Sequence, residues 1–254
     1  GTTMDDVTKS LGELNEYADK TIYNFAEMTK NIGTFTASGL GLEASTKAIQ
    51  GIANVAAVSG SNSQQASTAM YQLSQALSSG VVRLMDWNSV VNAGMGGRVF
   101  QDAIIATASQ VEGFDAKVTE AYKSGVSFRQ LLDANEYGDW FTSDILSTTL
   151  QKFTKTGAVE YVQQMSGVTK DSVLELQKLG DTVGYNSEEF NNLANSILNG
   201  NESMVASAKD ILGMAANAED AATKVKTLTQ LWDTTKEAVQ SGWAQSWELV
   251  FGNF

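Results

Sequence analysis

Apolar residues recur every three or four positions along most of this chain, the repeat that places them on one face of an α-helix. Over residues 4–35 the positions Met4, Val7, Leu11, Leu14, Ala18, Ile22, Phe25, Met28, Ile32 and Phe35 follow that step without interruption. The stripe predicts either one long helix of near-heptad character, able to pack along another helix, or two consecutive core-facing helices broken near Gly12. Residues 44–58, with Ile49, Ile52 and Ala56, and residues 64–77, with Ala66, Met70, Leu73 and Leu77, predict an antiparallel helical hairpin. Its junction, Ser59-Gly60-Ser61-Asn62-Ser63, supplies a glycine able to take positive φ and side-chain oxygens that cap the second helix.

The same stop-and-cap chemistry returns at Ser79-Gly80-Val81, Ser124-Gly125-Val126-Ser127 and Ser166-Gly167-Val168-Thr169, with Gln130 placed to complete a capping box after Ser127. Spacing near forty residues hints at stacked hairpins, although the intervening sequences do not match. Further helices are predicted over residues 86–92, 99–108, 142–155, 170–183 and 188–198. From residue 215 a longer segment carries Leu228, Leu231, Trp232, Val239, Trp243, Trp247 and Phe251, the last three at successive i, i+4 positions. That aromatic ridge suits a core face, a face that meets further sequence, or a membrane interface. The fold class is therefore all-α, a multi-helix domain of stacked helical hairpins with long amphipathic helices at both ends. The organisation expected is a helical segment over 1–38, a globular helical domain over 39–212, and a C-terminal helix over 213–254 that leads into downstream sequence. The absence of an initiator Met and the helical pattern running to Phe254 suggest a piece of something longer.

Composition narrows the function more than the fold. In 254 residues there is no proline, histidine or cysteine. The usual proton-transfer group near neutral pH, the usual thiol nucleophile and the usual zinc ligands are thus missing. Charged residues make up 18% of the chain and hydrophobic ones 43%, so uncharged polar side chains cover much of the surface. A net charge of −12 opposes direct binding to a phosphate backbone, and no direct nucleic-acid contact is expected. No window approaches the roughly 18 apolar residues of a membrane span, so membrane contact is not expected either.

Candidate chemistry is sparse. Asp133, Asn135 and Gly138, followed by Asp144, approach a calcium loop, but Tyr137 stands where a third oxygen ligand belongs and Asp144 is shorter than the bidentate glutamate. The competing reading is a turn before a helix capped by Thr142 or Ser143. Gly94-Met95-Gly96-Gly97-Arg98 shares only its glycines with a phosphate-binding loop and reads as a tight link between helices. The carboxylate pairs Asp5-Asp6, Glu188-Glu189 and Glu219-Asp220 are sequence neighbours, which point apart on a helix. No enzyme activity, metal or cofactor is expected.

Residues 71–97 contain a helix ending in Gln75-Ala76-Leu77, a short link, Asp86-Trp87-Asn88 opening the next helix, and a glycine-rich close. In these features the chain resembles the N-terminal conserved region of tail tape measure proteins of long-tailed bacteriophages and prophages. Residues 44–54 and 222–234, and Trp243 and Trp247 within residues 241–247, are similar to the same family. The resemblance implies a structural protein on which tail-tube subunits polymerise, whose length sets tail length and which leaves the tube ahead of the DNA. The implied partners are tail-tube and tail-tip or baseplate proteins and tail assembly chaperones, with a homo-oligomer possible in the tail. The implied location is the tail lumen of the virion, and the host bacterial cytoplasm during assembly. Trp87, Trp243 and Trp247, followed by Leu11, Leu14, Ile22 and Phe25, are the candidate protein contacts, because large aromatic and aliphatic groups dominate interfaces. Each could equally be core. A secreted or surface-bound bacterial helical adaptor is the alternative class, and a calcium-responsive sensor a third.

Overall fold

The computed structural model describes residues 3–21, 23 and 25–240, without the side chains of residue 25 and of residues 225–240. Helices α1 (Met4–Lys20), α2 (Phe25–Ala37), α3 (Leu42–Val58), α4 (Ser63–Ser79), α5 (Leu84–Asn92) and α6 (Arg98–Ala108) form the first half. Then come α7 (Ala116–Lys123), a 3-10 turn (Gln130–Leu132), α8 (Ala134–Tyr137), α9 (Ser143–Lys152), α10 (Lys155–Ser166), α11 (Lys170–Val183), α12 (Glu188–Ile197) and α13 (Glu202–Gln240). The described residues contain no named strand; Val81 and Thr142 form a single antiparallel bridge. The fold is all-α, as the periodicity implies.

The axle of the fold is α3, buried on nearly every side from Ser45 to Ala57. Helices α1, α2, α4, α9 and α13 pack around it. Its alanines and Gly51 permit this crowding. A Cβ on Gly51 would lie 2.0 Å from the Leu150 carbonyl oxygen, so α3 and α9 cross there backbone to backbone. The main core extends from Leu14 through Phe153 and takes in Ala218 and Ala222. A second core joins α10, α11, α12 and the first half of α13 through Val162, Leu176, Phe190 and Leu212. Helix α13 thus belongs to both, with Ala208 to Ala215 on the second core and Ala218 and Ala222 on the first. The 1–38 segment shares the main core, since Leu14, Met28 and Phe35 are fully buried in it.

The N-terminal stripe is interrupted, though not at Gly12. Helix α1 runs through Gly12 and ends where Thr21 turns extended (φ −129°, ψ 175°) and its hydroxyl donates to the Tyr17 carbonyl at 2.9 Å. Its buried face is Ser10, Leu14 and Tyr17, rotated from the expected line, and leaves Met4 exposed. The helix expected over 142–155 also divides. Thr154 caps α10 by accepting from the Gly157 N–H at 3.0 Å, which turns the chain after Phe153 enters the core. The last long helix starts at Glu202, well before residue 215.

The junction glycines behave as their sequence suggests: Gly80, Gly125 and Gly167 take φ of 79°, 99° and 72°. Val126 folds back to donate to Ala121, and Ser127 and Gln130 exchange capping bonds. The elements beyond the three junctions differ, a nine-residue helix after Gly80, a 3-10 turn after Gly125 and a 14-residue helix after Gly167, so the likeness ends at the turns.

Candidate interaction surfaces

Trp87 lies inside the molecule, 3% exposed, with its ring centroid 4.3 Å from that of Phe128. Phe128 is the hub of an aromatic cluster: Tyr122, Trp140 and Phe141 meet it edge-on, and Phe114 meets Trp140 in the same way. Edge-to-face pairs of this kind add to the stabilisation from burial alone. The Trp140 indole N–H donates to the Leu131 carbonyl at 2.6 Å, which fixes the loop that carries Phe128. Sequence periodicity gave no hint of this hub, because Phe128, Trp140 and Phe141 sit in or beside loops that have no helical repeat.

Of the other contact candidates, Leu14 is buried and Leu11 half-buried on α1. Ile22, Trp243 and Trp247 lie outside the described residues, as does the side chain of Phe25. Among the described residues the most exposed large apolar side chains are elsewhere: Met85 on α5, Met4 on α1 and Tyr71 on α4.

The calcium-like loop spends its oxygens locally. The Asp133 carboxylate accepts from the Asn135 N–H at 3.0 Å and caps α8, and Asp139 faces Arg83 at 3.8 Å. The Tyr137 ring lies under the Lys117 ammonium. Thr142 caps α9 by accepting from Ile145, with Asp144 in its first turn. Among the described residues no group of three or more acidic side chains is placed to hold a metal. The glycine run after α5 is a link between helices: Gly94 takes φ 79°, and Ser61 donates to the Ala93 carbonyl beside it at 2.9 Å.

Ionised groups that are buried serve packing. The Lys47 ammonium bonds Glu43 at 2.8 Å and also Glu160, which in turn receives Lys170, so α3, α10 and α11 are tied together. Burial pulls the Lys47 pKa down, but the bonds and charges of Glu160 and Glu43 outweigh it and hold the ammonium above its ordinary value. A cleft of about 780 Å³ between α11 and α13 is spanned by Tyr185, whose hydroxyl donates to Asp181 at 2.8 Å. A second groove, of about 460 Å³, runs between α4 and α5 and is lined by uncharged amides and hydroxyls. Neither cleft assembles a nucleophile with a base.

The buried aromatic hub around Phe128 and the 39-residue α13 are the main features of the described residues. The model of the tape measure protein family matches residues 1–134, more than half of the chain, and the chain belongs to that family. It is therefore a structural component of a phage tail. No curated protein matches the chain, and no solved structure does. Among the described residues no helix is long and apolar enough to cross a membrane.

Proposed function

We propose that this chain scaffolds tail-tube polymerisation, contributes to setting tail length, and is released from the tube during genome ejection. The match to the tape measure family over residues 1–134 carries this reading. Physical features agree with it. Helix α13, at 1.5 Å per residue, is about 58 Å long. A net charge of −12 keeps the chain from adhering to DNA that passes through the same tube.

The organisation proposed is a helical segment over 1–38, a globular domain over 39–212 and a C-terminal helix over 213–254. The partners are tail-tube and tail-tip or baseplate proteins and tail assembly chaperones, met in the host cytoplasm during assembly and in the tail lumen afterwards. No catalytic step belongs to this region. Trp243, Trp247 and Ile22 remain contact candidates, with Leu11 on α1 and Phe25 at the start of α2. Trp87 and Leu14 would act through the helices they anchor.

The test is an in-frame deletion of residues 1–134 in the parent phage or prophage, followed by electron microscopy of the particles. Absent tails, or tails of altered length, are expected. Normal infectious particles would overturn the reading in favour of a helical adaptor unconnected with tails.

A further inference from the structure

We propose that the groove along α5 binds a short, extended acidic segment of a partner protein, with arginines at its rim holding the carboxylates and two hollows taking the apolar side chains. The chain has three arginines, Arg83, Arg98 and Arg129, and all three line this groove. Its two hollows follow one another along α5. The first, of about 150 Å³, lies between Arg83 and Leu84 and the segment from Leu132 to Trp140. The second, of about 270 Å³, lies between Asn88 and Val91 and the loop that carries Val126 and Arg129, with Arg98 of α6 also lining it.

In a chain with 29 acidic residues these cations are poorly neutralised. Arg129 is exposed, and its guanidinium has no ion pair or hydrogen bond among the described residues. Arg98 meets Asp102 at 3.5 Å and Arg83 meets Asp139 at 3.8 Å, exposed contacts of little worth. The Asp102 carboxylate also accepts from the Tyr122 hydroxyl at 2.7 Å, and the Arg98 guanidinium is steadied over the Tyr122 ring, 4.7 Å from its centre. Among the described residues Asp139 is the one acid that lines either hollow. Planar guanidinium forks favour carboxylates, which they hold by two parallel hydrogen bonds.

The dimensions favour a peptide. Pockets that enclose a small molecule usually measure about 300–1,000 Å³, and both hollows are smaller. Leu84 lines the first and Val91 the second, and both are exposed, so an apolar side chain in each hollow would cover bare apolar surface. Helix α5 is about 14 Å long, the reach of four or five extended residues at about 3.3 Å each. Alternate side chains of such a segment point to opposite sides, so apolar ones enter the hollows while acidic ones face the long arginines at the rim. A phosphate polymer would meet the arginines but leave the hollows empty. This binding site does not rest on the tail reading.

The test is fluorescence anisotropy of a fluorescein-labelled hexapeptide that alternates glutamate with leucine, titrated with the full 254-residue chain. Binding with a Kd of about 0.1–1 mM is expected, weakening as salt rises because the ion pairs are screened. The same peptide with glutamine for glutamate should bind at least about tenfold less tightly. Arg129→Gln should weaken binding about fivefold or more with the thermal midpoint unchanged. Lys178→Gln, which removes an equal charge from an exposed position on α11, should leave binding intact. Asp139→Asn should tighten it, because this frees Arg83 and removes a competing carboxylate from the first hollow. No binding up to about 1 mM, a glutamine peptide bound equally well, or Arg129→Gln equal to wild type would each overturn the proposal. A six-nucleotide thymidine strand that binds as tightly as the acidic peptide would overturn it too, and would assign the arginines to phosphate.

Discussion

The phenol of Tyr17 donates to the side-chain oxygen of Asn54 at 2.7 Å, joining α1 to the centre of α3 inside the core. The same Asn54 donates through Nδ2 to the Phe153 carbonyl at 2.8 Å, the point where α9 gives way to α10. One buried amide therefore fixes three elements and leaves none of these polar groups bare. Asn54→Leu removes both bonds and strands a phenol and a carbonyl, at a cost of about 2–4 kcal/mol. Tyr17→Phe leaves one acceptor free and costs about 1–2 kcal/mol. Urea unfolding of both single variants and the double variant checks this, and a coupling energy near zero would show that the bond does not form.

Gly51 and Gly12 make opposite predictions from the same substitution. At Gly51 a methyl group would lie 2.0 Å from a backbone oxygen, and α3 and α9 would have to part. Gly51→Ala is expected to cost about 3 kcal/mol or more. Gly12 is in mid-helix with nothing within 4 Å of the added atom, so Gly12→Ala should stabilise by about 0.5–1 kcal/mol. Thermal denaturation of the two variants side by side measures the contrast.

The stripes that packed as expected, Ile49, Ile52 and Ala56 on α3 and Ala66, Met70, Leu73 and Leu77 on α4, belong to helices whose burial is continuous. Periodicity is informative where one face meets a core along its length. It misplaced the break after α1, because Gly12 is tolerated on the exposed face of the helix and Thr21 ends the helix by local geometry. The division after Phe153 was hidden for a related reason, since Thr154 is a cap only once α10 has turned away. The role of Trp87 was not legible at all. Whether a large aromatic is core or contact depends on Phe128, brought to it from about forty residues away by tertiary packing.

Trp87 and Met85 test that distinction directly. Trp87→Ala opens a cavity against Phe100 and Phe128 and should cost about 3–5 kcal/mol. Met85→Ala, on an exposed position two residues earlier, should change stability by no more than about 0.5 kcal/mol. Denaturant midpoints decide it; equal effects would mean that Trp87 is not packed as described.

Lys152 is the one lysine whose burial is uncompensated by an acid among the described residues. It is 2% exposed, its ammonium lies 4.4 Å from the centre of the Tyr161 ring, and desolvation lowers its pKa to about 8 from 10.5. Between those values the unfolded chain holds a proton that the folded chain has released, so stability rises with pH across that window. Below pH 8 both states are protonated and the fold carries the full cost of a buried charge. Each pKa unit corresponds to about 1.4 kcal/mol, which bounds the effect near 3 kcal/mol. Above pH 10 the buried Tyr23, raised to about 12, acts in the opposite sense, because the unfolded phenol ionises first. The informative range is therefore pH 8 to 9.5. Lys152→Met replaces the ammonium with an apolar group of similar length and forfeits the ring contact, worth about 1 kcal/mol. It should gain about 1–2 kcal/mol at pH 7 and lose the upward slope between pH 8 and 9.5. Urea titrations of both proteins across that range give the answer, and parallel profiles would show that Lys152 is already neutralised or hydrated in the fold.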